Sequence, residues 1–363
     1  MKPYDIINHT IEDLISSHLK DDYCLQYFPD NIRYNHSETI PFKFTMDKHV
    51  ISGNHKSKRT DPNWYNYFFH NNKWIYGKSL NYYLRDNVNY NFLQHSWEPI
   101  DIKLDKVFWQ NMSNIVVLHS EKASKDLDEL VKSNIKNIHW FSHAYICSEI
   151  YFKHFYKLNM VTNYKVRPIK HKWISANRLL RQHRVDLLEK LDLQQGCYSL
   201  MNPDPNGLRY KGPVPSNSFD KHGNDSAELN FHELTPWNTS FLHIVNETIW
   251  QEKIHFTEKI FKPIILHQPF VVVQAPNSLE YLRSYGFKTF DHWWDESYDQ
   301  ISDSNKRLNA IADIINYIGN KSLEELEILR MEMADVLEHN FRHFYENIPA
   351  ICLDELEKNI KLL

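Results

Sequence analysis

F-T-E-K-I-F-K-P-I-I-L-H-Q-P-F-V-V-V-Q-A-P, residues 256–276, decides the fold. Ile260, Phe261, Ile264 and Ile265 recur at the three- and four-residue spacing of one helical face, so Thr257 to His267 reads as a helix with a buried stripe. Thr257 suits its N-cap, and Glu258 and Lys259 fall off the apolar face at the positive end of the helix dipole. Pro263 has no N–H for the carbonyl of Lys259, which predicts a bend or an irregular turn there. Phe270 to Gln274 is a short, branched apolar run, the pattern of a strand buried on both faces. A helix feeding directly into such a strand is the repeating unit of a parallel α/β sheet.

The same alternation extends outward. Strands are predicted at Ile115 to Leu118, Asn137 to Phe141, Trp173 to Ala176 and Phe241 to Val245. Helices are predicted at Asp126 to Ser133, Tyr145 to Tyr156, Arg181 to Leu191, Ser278 to Tyr285, 305–318 and 322–341. Pro, Gly, Asn, Asp and Ser make 202–225 a long loop. Residues 1 to about 110 show weak periodicity and read as an irregular, aromatic-rich subdomain. The aromatic and polar stretch from Asn63 to Tyr90 is read as packing, with a surface that stacks sugars or bases as the alternative. These elements predict a first domain over 1–165, a second over 166–345 and a helical tail over 346–363. Ligands of such folds sit beyond the carboxyl ends of the strands.

Bulk composition narrows the function. The 363 residues carry a net charge of −4 with neutral histidines, so there is no global basic excess of the kind that grips duplex DNA. The 21 histidines would add positive charge below about pH 6.5. Only eight glycines occur, and neither G-x-G-x-x-G nor G-x-x-x-x-G-K is present. A nucleotide would therefore be held without the usual phosphate loops. Cys24, Cys147, Cys197 and Cys352 form no C-x-x-C pair and are expected to be reduced and buried. Met1 to His18 lacks the form of a secretory signal and no apolar run is long enough to span a bilayer, so a cytoplasmic location and no membrane span are expected.

Two segments gather cationic chemistry. Glu258 and Lys259 open the helix at which an anion is welcome, with Lys259 a point charge for phosphate and Glu258 an acceptor for sugar hydroxyls. A capped surface helix is the competing reading. In N-R-L-L-R-Q-H-R, residues 177–184, Arg178, Arg181, His183 and Arg184 crowd a helix start, where cations are disfavoured by about 0.3–1 kcal/mol each. Their negative partner is a bound diphosphate or local carboxylates such as Asp186 and Glu189. Glu121 and His143 follow the two predicted strands of the first half and are the candidate general bases. His139 and His143 stand four apart, but a third ligand is not evident, and no metal is expected.

The pair of motifs F-T-E-K-I-F-K-P with P-F-V-V-V-Q-A-P, preceded by N-R-x-x-R-x-H-R, resembles the donor region of the α1,3-fucosyltransferase family and its viral and bacterial relatives. The resemblance covers about residues 173–300. It implies two Rossmann-like domains facing a cleft, the GT-B architecture, with inversion at the anomeric carbon and no obligatory metal or other cofactor. It also implies that Lys259, with Arg178 or Arg184, holds the diphosphate and that Glu258 contacts ribose or sugar. The family carries F-E-N-[ST] before T-E-K. Here Val245, Asn246, Glu247 and Thr248 stand at a similar but longer spacing, which adds Asn246, Glu247 and Thr257 to the donor-binding set and leaves the sugar and base open.

The expected function is transfer of a sugar from a nucleotide diphosphate to a hydroxyl acceptor. The acceptor is a glycan or small molecule, or a hydroxylated base in nucleic acid. A non-catalytic nucleotide- or carbohydrate-binding protein is the reading from another class.

Overall fold

A computed structural model describes residues 119–133, 135–152, 163–177, 180–200, 210–213, 215, 233–360 and 362, and the strand backbones at 23–28, 50–52, 67–70, 73–76, 91–96 and 115–118. The chain divides into two compact units, Met1–Ser142 with Cys352–Leu363, and His143–Ile351.

The first unit carries a seven-stranded sheet in the order β4-β3-β2-β1-β5-β6-β7. Its strands are β1 (Tyr23–Phe28), β2 (Val50–Ser52), β3 (Tyr67–His70), β4 (Lys73–Tyr76), β5 (Asn91–Ser96), β6 (Ile115–His119) and β7 (Lys136–His139). Five of them lie in residues 1–110, where the sequence pattern gives no strand signal. β1, β2, β5, β6 and β7 pair in parallel, whereas β3 runs antiparallel to both β2 and β4. His70 faces Lys73 in the β3–β4 ladder.

Helix α1 (Lys125–Lys132) follows β6, capped by the Ser124 hydroxyl accepting from the N–H of Leu127. β7 stops at His139, two residues before its predicted end. There the chain turns away, with the Ser142 N–H donating to the carbonyl of Trp140. α2 (Ser142–Ile146) begins at that turn and passes into a π-helical turn, Cys147–Tyr151.

The second unit is built on a four-stranded, all-parallel sheet in the order β11-β10-β8-β9. β8 (His171–Ser175), α3 (Gln182–Leu188), β9 (Gly196–Tyr198), α4 (Leu234–Asn238), β10 (Ser240–Asn246), α5 (Glu258–Ile265), β11 (Phe270–Val273), α6 (Ser278–Ser284), α7 (Ser304–Gly319), α8 (Leu323–Glu332) and α9 (Ala334–Arg342) follow in turn. Every residue of β10 and β11 is buried, as for strands covered on both faces. Gly196 opens β9 against the Trp173 indole, which a Cβ there would meet at 2.2 Å. The predicted helix over 322–341 is two helices divided at Met333. Helix α10 (Ile348–Ile360) closes the chain, and Cys352 onward belongs to the first unit. There Glu355 accepts from the backbone N–H of Phe141 at 2.9 Å and meets His139 Nδ1 at 2.9 Å.

α5 buries Ile260, Phe261, Ile264 and Ile265, as the spacing predicts. The helix runs through Pro263 and ends two residues later. The donor missing at Pro263 falls in the last turn, and Leu266 N–H still reaches the carbonyl of Lys262 at 3.2 Å. No helix among the described residues is long and apolar enough to cross a membrane.

Candidate functional site

The carboxyl ends of β8, β10 and β9 are tied together by polar side chains. Asn246, the last residue of β10, donates through Nδ2 to Ser175 Oγ at 2.8 Å. Asn177 donates to the same hydroxyl at 3.0 Å, and its backbone N–H reaches Ser199 Oγ at 2.9 Å. All four residues are buried, so each bond replaces a water that folding removed.

Glu247 follows directly and is fully buried. Its carboxylate accepts the Thr257 hydroxyl at 2.7 Å and the Thr257 backbone N–H at 3.1 Å. The predicted role of Thr257 as a side-chain cap is thereby corrected: it occupies the N-cap position, but its hydroxyl serves Glu247 and makes no capping bond. Burial pushes the Glu247 carboxyl above its ordinary range, against the pull of Lys259.

At the start of α5, Lys259 Nζ donates to Glu258 Oε1 at 2.8 Å and to Thr257 Oγ1 at 3.0 Å. The Glu258 side chain is 6% exposed and that of Lys259 24%. The expectation that both residues lie off the buried face therefore holds for Lys259 and is corrected for Glu258. Burial alone would push the Glu258 carboxyl up, but Lys259 and Lys262 overcome it and hold it below its ordinary value. Lys262 is itself buried, one turn on, with Nζ 5.0 Å from the Trp237 ring centre.

α3 brings the arginine motif to the same end of the sheet. Arg184 is buried, and its Nη2 donates to the carbonyls of Asn246 at 3.0 Å and Glu247 at 3.3 Å. It clamps the turn out of β10. Arg181 stands at the N-cap of α3 without a side-chain capping bond. Asp186, offered as a local partner for the arginines, takes the amide of Gln182. Arg178 lies outside the described residues. His183 stacks on Trp250 at 5.7 Å and 14°, and burial, then Arg184 and Arg181, lower its pKa to about 3. Arg307 lies over the Trp250 ring at 4.1 Å.

Of the two candidate bases, His143 belongs to this unit. It is buried on α2, edge-to-face with His255 at 5.0 Å, two residues before Thr257. His255 is held well below the ordinary imidazole range by burial, then by His143, Lys253 and Lys259. The Cys147 thiol, one turn further, is pushed up by burial and then by Glu258. Glu121 lies in the other unit, buried after β6, with its N–H donating to His119 Nδ1 at 3.3 Å. No group of three or more His, Cys, Asp or Glu residues that could hold a metal occurs among the described residues.

The sequence pattern missed Asn177, Lys262, His255, Trp250 and Arg307. Lys262 had a signal, since Glu258 and Lys262 stand four apart on a helix. Asn177 opens the N-R-x-x-R-x-H-R motif, whereas His255, Trp250 and Arg307 are brought in by loops and by α7, and no local spacing marks them.

No protein-family model matches the chain, and no curated protein does. Among solved structures it is similar to one described as the crystal structure of a GtfA/B complex, at 9% identity and a TM-score of 0.34, over 81% of this chain. The chain spans 63% of that neighbour's length, and a likeness this slight decides neither fold nor function.

Proposed function

We propose that the chain is a glycosyltransferase that takes a sugar from a nucleotide diphosphate and passes it to a hydroxyl acceptor, with inversion and without a metal. The observation that carries this is the Thr257-Glu258-Lys259 cluster at the start of α5, beyond the carboxyl end of β10, in an all-parallel sheet. That end of such a sheet is where α/β folds take ligands, and a helix N-terminus with a lysine favours phosphate. The resemblance of the same residues to the fucosyltransferase donor motif supports the reading, and the two-domain GT-B architecture is part of the proposal.

In this reading the acceptor oxygen forms a bond to the anomeric carbon as the bond from that carbon to the diphosphate oxygen breaks. The acceptor proton passes to a general base, His143 or Glu121. Lys259, with Arg178, or with Arg181 in place of the expected Arg184, whose Nη2 serves the carbonyls of Asn246 and Glu247, meets the charge on the departing diphosphate. Glu258, held ionised by its lysines, accepts a hydroxyl of ribose or sugar. Arg184 holds the turn out of β10, and Asn246, Glu247 and Thr257 fasten that strand end to the start of α5.

A second reading, a nucleotide- or carbohydrate-binding protein without turnover, draws on the internal pairing of Glu258 with Lys259. Incubation with UDP-, GDP-, CDP- and ADP-sugars separates them. Sugar transfer or slow hydrolysis that releases one nucleoside diphosphate supports the transferase. Binding of a nucleotide without release from any sugar supports the second reading, and no binding overturns both.

A further inference from the structure

At the end of the β8–β11 sheet opposite Thr257, a groove of about 680 Å³ opens between the 3₁₀ turn Tyr164–Val166 and α8. That volume suits a small-molecule ligand. Its floor holds two buried guanidiniums, Arg167 at 5% exposure and Arg330 at 6%. Arg330 Nη1 donates to the Arg167 carbonyl at 2.8 Å. Arg167 itself donates to Asn238 Oδ1 at 2.9 Å and to the carbonyl of Leu266, the residue that closes α5.

Donors remain over. The Nε of each arginine is buried without an acceptor, and Arg330 Nη2 makes no hydrogen bond among the described residues. Arg330 Nη2 is the donor that a carboxylate or phosphate in the groove can reach, with a charge-assisted hydrogen bond. Among the described residues no carboxylate pairs with either guanidinium, although Glu327 acts on Arg330 through its charge. Burial and then the charge of Arg330 lower Arg167 to about 9. Two adjacent buried cations with no hydrogen-bonded carboxylate among the described residues are an unfavourable arrangement that a bound anion would relieve.

The rim says what else the ligand carries. Val166 is 77% exposed, Ile328 56% and Met331 47%, an apolar lip beside the arginines. Glu327 and Glu332 stand on the same groove with Lys165, which sets three cations against two acids and favours a single negative charge.

We propose that this groove binds a small organic monoanion with an apolar group, its carboxylate or phosphodiester on Arg330 Nη2 and its apolar part against Val166, Ile328 and Met331. This assignment is independent of the transferase reading.

Calorimetric titration of the full chain with octanoate and with dihexanoyl phosphatidylglycerol below its micelle concentration tests it. One-site binding of either is expected, and which one binds names the head group. Octanol and inorganic phosphate, each lacking one half of the ligand, should bind at least tenfold more weakly. Arg330→Gln should weaken the bound probe by about tenfold to a hundredfold. Ile328→Asp, on an exposed position that leaves the fold intact, should do so by about tenfold. Absence of binding by both anions, octanol binding as well as octanoate, or Ile328→Asp binding like the parent chain would each overturn the proposal.

Discussion

The Glu247 carboxylate holds both the hydroxyl and the backbone N–H of Thr257, ten residues away, at 2.7 and 3.1 Å. This pair fastens the end of β10 to the start of α5, so the strand that ends in Asn246 positions the helix that presents Lys259. An α/β fold sets its strand ends by sheet pairing, but the loop beyond them needs a tie of its own. Here the tie is a fully buried carboxylate.

Removing it has a predictable cost. Glu247→Ala leaves two buried Thr257 donors without their acceptor, at about 1–3 kcal/mol each. Glu247→Gln keeps one acceptor oxygen and relieves the burial of a charge, so it should be markedly milder. Urea unfolding of the two variants checks this ordering. An alanine variant as stable as the parent would show that the pair contributes nothing.

Lys259 is the residue on which the proposed donor site stands. Its side chain is partly exposed, and Lys262 remains to hold Glu258 when it is lost. Lys259→Ala should therefore fold, and it should lose about tenfold to a hundredfold in nucleotide affinity, the value of one charge-assisted hydrogen bond. A thermal-shift series with UDP, GDP, CDP and ADP reads this directly, since ligand at about 100 times its dissociation constant adds about 2.7 kcal/mol to stability. Unchanged affinity would remove α5 from the site.

The two candidate bases give a kinetic test. The true base should lose turnover when replaced by alanine, by about a hundredfold or more, while nucleotide affinity stays within a few-fold of the parent. His143→Ala and Glu121→Ala are compared under single-turnover conditions. Full activity in both variants would place the base elsewhere.

How far the sequence could be read follows from where its signals are local. The 3.6-residue stripe of Ile260, Phe261, Ile264 and Ile265 and the branched run from Phe270 to Val273 each report burial within a few residues. The second unit was legible for that reason. Among β1 to β5, β2, β3 and β4 are only three or four residues long, and two of the pairings turn antiparallel, so no βα alternation marks them. The cationic cluster was legible as composition, but its wiring was not. Whether Arg184 faces a ligand or the carbonyls of Asn246 and Glu247 depends on the return of β10 from about sixty residues away in sequence.

Acid should destabilise the chain earlier than its carboxylates alone would require. Burial lowers the pKa of His183 and His243 to about 3 and that of His267 to about 4. Each is neutral when folded and protonates near pH 6.5 when unfolded. The unfolded chain therefore binds more protons throughout that window. Stability is fully present above about pH 6.5 and falls with decreasing pH until the folded values near 3 to 4 are reached, at up to about 1.4 kcal/mol per pH unit for each histidine. Thermal unfolding between pH 7.5 and 4.5 at constant ionic strength should show a midpoint that begins to drop below pH 6.5. His243→Leu, which removes one of these imidazoles from the centre of the sheet, should flatten the slope. A midpoint unchanged down to pH 5 would mean that these histidines find proton acceptors when folded.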